Sequence, residues 1–342
     1  MPLSRWESIQ HLLRIGLLTP NDLVAADLSV VAMQSRNHLL VVEWAGGGVV
    51  IKQPGDPATP DAATMWTEAS LFWLSANDAA FAPLARWMPR YLHYDEPQRI
   101  LTIEYVTPAT SLAEHMLGAG VRPAVAAEAG QALATLHGPV SAATVDGPSR
   151  RLFAPLIPWV LTLGAPDLRY IPTSPAAASV VQWISGRPDI VASLRQIRAG
   201  WRGDHIIHGD VKAPNVLIVA DGTVRIIDWE IATLGDGWWD VAGLIHSMLI
   251  PNPAAAPEPL DRALERSRPI AEAFWQGYAA IAAARRHDAP PVVMAMAGAR
   301  MLQTCIESAH LGALAPGIPA MLDMAATLMV RPGIAAQRWN WA

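Results

Sequence analysis

Two polar stretches in an otherwise apolar chain carry side chains fit for chemistry. The first reads I-I-H-G-D-V-K-A-P-N-V-L-I and holds His208, Gly209, Asp210, Lys212 and Asn215. The second reads V-R-I-I-D-W-E and ends on Asp228, Trp229 and Glu230. A carboxylate can take up the proton of a hydroxyl. Carboxylate and amide oxygens are also hard donors, of the kind a divalent cation takes. A lone Asp after Gly is usually a turn or a cap, so it is the combination and its order that single these residues out. The basic residues add a separate signal. Of 25 Lys plus Arg, only Lys52 and Lys212 are lysine. In a composition drifting toward arginine, lysine persists where a compact ammonium on a slim stem cannot be replaced by a broad planar fork.

This set resembles the aminoglycoside phosphotransferase/choline kinase family, a branch of the protein-kinase-like fold. The family pattern H-G-D-x-x-x-x-N is present as His208 to Asn215, and an apolar strand ending D-W-E is present at Asp228 to Glu230, 18 residues after Asp210. The resemblance runs from about Ser29 to Ser247 and implies an ATP- and magnesium-dependent phosphotransferase. It makes Asp210 the base that receives the acceptor's proton, with Asn215 and Asp228 as magnesium ligands. Lys52, closing V-V-I-K, is then the lysine that holds the α/β-phosphates, paired with Glu68 in the next helix. Glu43 and Glu104 suit that pairing less, but Glu104 and Val106, where the strand runs into the linker, join Ser35 and Asn37 as expected nucleotide-binding positions. His208 reads as packed scaffold, and Asp240 in G-D-G-W-W-D-V-A as a brace for the catalytic loop.

Two departures from the family pattern matter. The phosphate-covering loop is Gln34-Ser35-Arg36-Asn37-His38, without glycine, although Ser and Asn can turn tightly and offer backbone N–H groups. Gly46-Gly47-Gly48 is no substitute, because it precedes a strand and no G-x-x-x-x-G-K-[ST] occurs. The second departure is Lys212, in D-V-K-x-x-N, where aminoglycoside kinases carry His-Pro. A lysine there can reach the transferring phosphate, where negative charge develops, and it tilts the acceptor toward a Ser/Thr-like hydroxyl.

The elements that must position these residues can be read from periodicity. Ser4 to Ile15 is helical. Strands follow at Ser29–Met33, His38–Trp44 and Val49–Lys52, then a helix at Asp61–Leu74 and a strand at Arg99–Val106; Pro20-Asn21-Asp22 reads as a break. After Pro108 the chain turns Ala-rich and helical, except for a Pro-rich stretch from Gly138 to Ser174 and two short strands between His205 and Asp228. Pro251–Pro259 and Pro290-Pro291 interrupt the C-terminal helices. The expected fold is α+β and bilobal: a small antiparallel β-rich lobe with one helix over residues 1–106, carrying the nucleotide clamp, and a larger helical lobe over 107–342, carrying the catalytic loop, metal site and acceptor helices.

Composition narrows the class. With 342 residues, 52% hydrophobic and 16% charged, the chain has ample core and is not disordered. A net charge of −5 argues against nucleic acid as a partner. Its one cysteine, Cys305, excludes a disulfide framework. No apolar run reaches the ~20 residues that span a bilayer, and Met1–Leu18 lacks a signal-peptide core. The expectation is a soluble cytoplasmic protein with no membrane partner.

The acceptor is read from charge. From Val241 onward eight Arg face seven acidic residues, so the region is neutral to basic and ill suited to a polycation. The segment around I-I-D-W-E-I-A-T-L-G-D-G-W-W-D-V-A, with Lys212, also resembles phosphotransferases of class V lanthipeptide and thioviridamide-like pathways. That resemblance implies Ser/Thr of a ribosomally made precursor peptide as the first reading of the acceptor, with a partner lyase. A small-molecule kinase acting on an antibiotic or metabolite is the alternative, and a nucleotide-binding pseudokinase a lesser one. Trp238 and Trp239 read as core, whereas Trp339 and Trp341 read as a partner or substrate surface.

Overall fold

The computed structural model describes residues 2–24, 27–33, 37–55, 61–145, 147–163, 171–282, 289–310 and 314–339. In chain order its elements begin α1 (Arg5–Arg14), α2 (Pro20–Val24), β1 (Ser29–Met33), β2 (His38–Trp44), β3 (Gly47–Gln53), α3 (Asp61–Asn77), β4 (Tyr91–Asp95) and β5 (Ile100–Glu104). There follow β6 (Ala109–Ser111), α4 (Leu112–Leu117), α5 (Pro123–Thr135), α6 (Ser141–Val145), α7 (Pro175–Ser185), α8 (Pro188–Ala199), β7 (His205–Ile207), β8 (Val216–Val219), β9 (Val224–Ile226) and β10 (Thr233–Gly235). The chain ends with α9 (Trp238–Leu249), α10 (Leu260–Ile281), α11 (Ala289–Ala309), α12 (Ile318–Val330) and α13 (Pro332–Arg338). Two compact units result: Met1–Ala109 with Leu217–Ala232, and Thr110–Val216 with Thr233–Ala342. The segment 217–232 groups with residues 1–109, whereas the sequence reading assigned it to the lobe 107–342.

In the first unit the strands form an antiparallel sheet of order β1-β2-β3-β5-β4. Lys52 lies on the central strand, opposite Leu39 of β2 and Leu101 of β5. Side chains alternate across a strand. Val49 and Ile51 point into an apolar cluster with Leu12, Leu18, Leu40, Val42 and Ile100, and Lys52 is sent to the opposite face. The cluster is closed by α1, which starts at a reciprocal cap between Ser4 and Glu7. On α3, Met65, Leu71 and Phe72 are fully buried, and so is Glu68 among them; a carboxylate in such a place needs a partner. Strand β4 had no periodic signal: its five residues are all half-buried at the sheet edge. Pro20 opens the short α2 rather than breaking the chain, since the first turn of a helix does not need that N–H.

The second unit is mainly helical. Helix α11 packs against α12, α9, α13 and α7, and α10 packs along α5. Pro290 and Pro291, expected to interrupt, lie in the first turn of α11. Among the described residues no helix is long and apolar enough to cross a membrane.

Candidate active site

In the first unit the site forms around Lys52, which is 4% exposed. Its Nζ lies 2.7 Å from Glu68 Oε2, 2.7 Å from Asp228 Oδ1 and 3.7 Å from Glu230 Oε2. Burial would lower the lysine's pKa, but these three carboxylates outweigh it and hold the ammonium above its ordinary value. Glu68 also binds the backbone: its Oε1 accepts the N–H of Trp229 at 3.2 Å. The Trp229 ring is buried and its Nε1 donates to the Ile226 carbonyl at 2.8 Å. Trp229 thus anchors the segment that carries Asp228, whose backbone takes a left-handed φ of 68°. Asn37 is buried and donates through Nδ2 to Glu230 Oε2 at 2.5 Å. Glu104 ends β5 half-buried, and its carboxylate accepts the Arg90 N–H at 3.0 Å; Val106 follows, also half-buried. Ser35 lies outside the described residues.

In the second unit the loop His208–Asn215 is fixed from below by Asp240. This fully buried carboxylate accepts the N–H groups of His208 at 2.7 Å and Gly209 at 2.9 Å, and pairs with His137 Nε2 at 3.1 Å. Gly209 takes a φ of 84°, a conformation glycine adopts freely. Burial works to raise the Asp240 pKa, and the bonds from His137 and the loop outweigh it and lower it. His208 is fully buried and its Nδ1 accepts the Asp210 N–H at 3.3 Å, a packed position.

Asp210 stands above this brace with both carboxylate oxygens engaged. Lys212 Nζ lies 2.6 Å from Oδ2, and Arg300 Nη2 lies 2.9 Å from Oδ1. Burial raises its pKa, and Arg300 and then Lys212 outweigh it, holding the carboxyl down at about 2. Asp210 is ionised at any neutral pH, so it can receive a proton, and the cations beside it can meet an anionic phosphate. Asn215 donates through Nδ2 to the Asp210 carbonyl at 3.1 Å, which leaves its amide oxygen as an acceptor.

The donor chemistry fits magnesium. Among the described residues no three His, Cys, Asp or Glu are grouped to hold a metal. Asp228 offers a carboxylate in the first unit and Asn215 an amide oxygen in the second, and each is a hard oxygen donor of the kind magnesium takes.

Sequence reasoning missed three members of this arrangement. Glu230 was quoted within its motif but given no role. His137 and Arg300 are 103 and 90 residues from their partners. The one usable signal was a single Arg inside the apolar run of α11, since a charge amid buried positions needs a partner. Trp238 and Trp239 are buried, as core residues are. Trp339 corrects the reading of a partner surface: it is fully buried and its Nε1 donates to the Leu264 carbonyl at 2.8 Å. Trp341 lies outside the described residues.

Solved structures share this fold. The choline kinase LicA from Streptococcus pneumoniae aligns at 15% identity with a TM-score of 0.54, over 95% of this chain and 99% of that one. A spectinomycin phosphotransferase in complex with ADP and spectinomycin aligns at 9% identity with a TM-score of 0.56, over 97% and 99%. A macrolide 2′-phosphotransferase from Brachybacterium faecium aligns at 16% identity with a TM-score of 0.51, over 97% and 99%. The fold is α+β and protein-kinase-like. The pattern of the phosphotransferase enzyme family (APH) matches residues 34–287, a span that takes in Lys52, Glu68, the loop from His208 to Asn215 and Asp228. Since that span is most of its length, the chain belongs to the phosphotransferase enzyme family.

Proposed function

We propose that the protein is an ATP- and magnesium-dependent kinase that moves the γ-phosphate to a hydroxyl of a small molecule. The observation that carries this reading is the Lys52 ammonium, held at 2.7 Å from both Glu68 and Asp228. A buried lysine fixed in that way is a ready partner for the α/β-phosphates. Asp228 and Asn215 are the oxygen donors for magnesium, which when bound neutralises charge on the triphosphate. Asp210 takes the acceptor's hydroxyl proton as the acceptor oxygen bonds to the γ-phosphorus and ADP leaves. The backbone N–H groups of the loop through Ser35 and Asn37, with Glu104 and Val106 near the linker, complete the nucleotide clamp. A small acceptor accords with the similar structures, which are kinases of choline, spectinomycin and macrolides by name. We place the reaction in the cytoplasm, where ATP is supplied.

One observation favours a second acceptor. Lys212 reaches Asp210 in the D-V-K-x-x-N form that tilts toward a Ser/Thr hydroxyl, which keeps a precursor peptide, with a partner lyase, as the other reading. The burial of Trp339 removes one aromatic anchor from that reading. The test presents the protein, ATP and magnesium with choline, a macrolide, an aminoglycoside and a Ser/Thr-containing precursor peptide encoded beside the gene. A mass gain of about 80 Da, one phosphate, on a small molecule supports the first reading. The same gain on the peptide alone establishes the second, and ADP release with none of them at any magnesium concentration overturns transfer to a hydroxyl of either class.

A further inference from the structure

We propose that Arg300 is a positioning residue of the transfer reaction: it fixes one oxygen of the Asp210 carboxylate so that the other receives the acceptor's proton. The proposal rests on Asp210 being the base. Arg300 belongs to α11 and is 5% exposed. Among the described residues its side-chain hydrogen bonds go to three consecutive residues of the catalytic loop. Nη1 donates to the Gly209 carbonyl at 3.3 Å, and Nη2 donates to Asp210 Oδ1 at 2.9 Å and to the Val211 carbonyl at 3.2 Å. Its guanidinium lies 5.2 Å from the centroid of the Trp239 ring, and Trp239 Nε1 donates to the same Gly209 carbonyl at 3.1 Å. A planar fork backed by an aromatic face is held in orientation as well as in place.

The backbone of the loop has other supports. Asp240 holds the N–H groups of His208 and Gly209, Asn215 holds the Asp210 carbonyl, and Ser247 Oγ accepts the Ala213 N–H at 3.0 Å. The carboxylate of Asp210 has only its two cations among the described residues, and these differ. The Arg300 side chain is 6% exposed, whereas that of Lys212 is 41% exposed. Arg300 is built into the fold; Lys212 sits at the surface on a flexible stem, free to turn to an incoming phosphate. When Lys212 turns away, Oδ2 becomes the open oxygen, and Arg300 on Oδ1 sets its direction. The hydroxyl proton then passes to Oδ2, the acceptor oxygen bonds to the γ-phosphorus of the nucleoside triphosphate, and the diphosphate leaves with the electrons of the broken P–O bond.

The test uses the full chain carrying Arg300→Ala or Arg300→Lys, with Asp210→Asn as a control, and ATP turnover as the readout. In both Arg300 variants kcat should fall about 100-fold, the cost of a misplaced catalytic group, while KM for ATP and nucleotide affinity stay within about twofold. Added methylguanidine should restore Arg300→Ala at least tenfold and leave Asp210→Asn unchanged. Arg300→Lys, which keeps the charge without the fork, covers the case in which Arg300→Ala does not fold. A kcat within about threefold of wild type in either Arg300 variant overturns the positioning role, and so does a loss accompanied by an equal loss of nucleotide affinity and no rescue. If Asp210→Asn itself turns over normally, it is the assignment of the base that fails.

Discussion

Replacing Lys52 should destabilise the first unit more than neutralising Glu68, although the two face each other at 2.7 Å. Lys52→Met keeps most of the stem but leaves Glu68, Asp228 and Glu230 without their shared cation, and the Lys52 and Glu68 side chains are only 5% and 1% exposed. Breaking a buried pair from one side costs about 3–5 kcal/mol. Glu68→Gln is milder: the amide oxygen can still accept the Trp229 N–H, and Lys52 keeps Asp228 at 2.7 Å. What is lost is the charge of one of the lysine's three carboxylate contacts, about 1.5–3 kcal/mol. The double variant should cost less than the sum of the two, with a coupling of about 1–2 kcal/mol. Equilibrium unfolding in urea, followed without nucleotide by tryptophan fluorescence and circular dichroism, measures all three. Glu68→Gln costing as much as Lys52→Met, or a coupling below about 0.5 kcal/mol, would refute the view that one lysine serves three carboxylates.

Asp228→Ala should lower nucleotide affinity in magnesium to the level wild type shows in EDTA; calorimetric titration that finds wild-type affinity in magnesium contradicts its metal role. Gly243→Ala places a methyl 2.2 Å from the Val211 carbonyl of the catalytic loop, so it should cut kcat at least tenfold, as shifting a catalytic loop does, and lower the melting temperature; a variant with wild-type kcat and melting point would show that the loop and α9 are not closely packed. Asp210 has a folded pKa of about 2 against an ordinary 3.8. Its contribution, about 2 kcal/mol, is therefore complete above pH 3.8 and disappears as pH falls through about 2. The stability gap between wild type and Asp210→Asn should narrow over that window, and a constant gap speaks against the double pairing with Arg300 and Lys212.

What the sequence could convey followed from how far a signal reaches along the chain. β1 and β2 were legible with their observed bounds because short alternating runs meet polar turns. Lys52 stood out through residue type, Asp210 and Asp228 through the spacing of their motifs and Glu68 through the family resemblance, and the structure joins Lys52 to Glu68 and Asp228. Arg300 and His137 were hidden because each meets its partner only through helix packing across some hundred residues. His246, fully buried on α9 with neither ring nitrogen partnered among the described residues, was equally silent; burial and then Arg300 lower its pKa to about 3 and keep it neutral. Trp339 misled because a position near the chain's end was read as surface, while its ring seats against α10 through the Leu264 carbonyl.

In the proposed mechanism Asp210 receives a proton while other residues hold the nucleotide. Release of phosphate from ATP with water as acceptor tests it without knowledge of the natural substrate. Wild type and Asp210→Asn are compared in magnesium, each with its nucleotide affinity measured alongside. Wild type should turn over measurably and Asp210→Asn at least 100-fold more slowly at unchanged affinity, within the usual range for a general base. Equal turnover in the two proteins, or none in either, would contradict it.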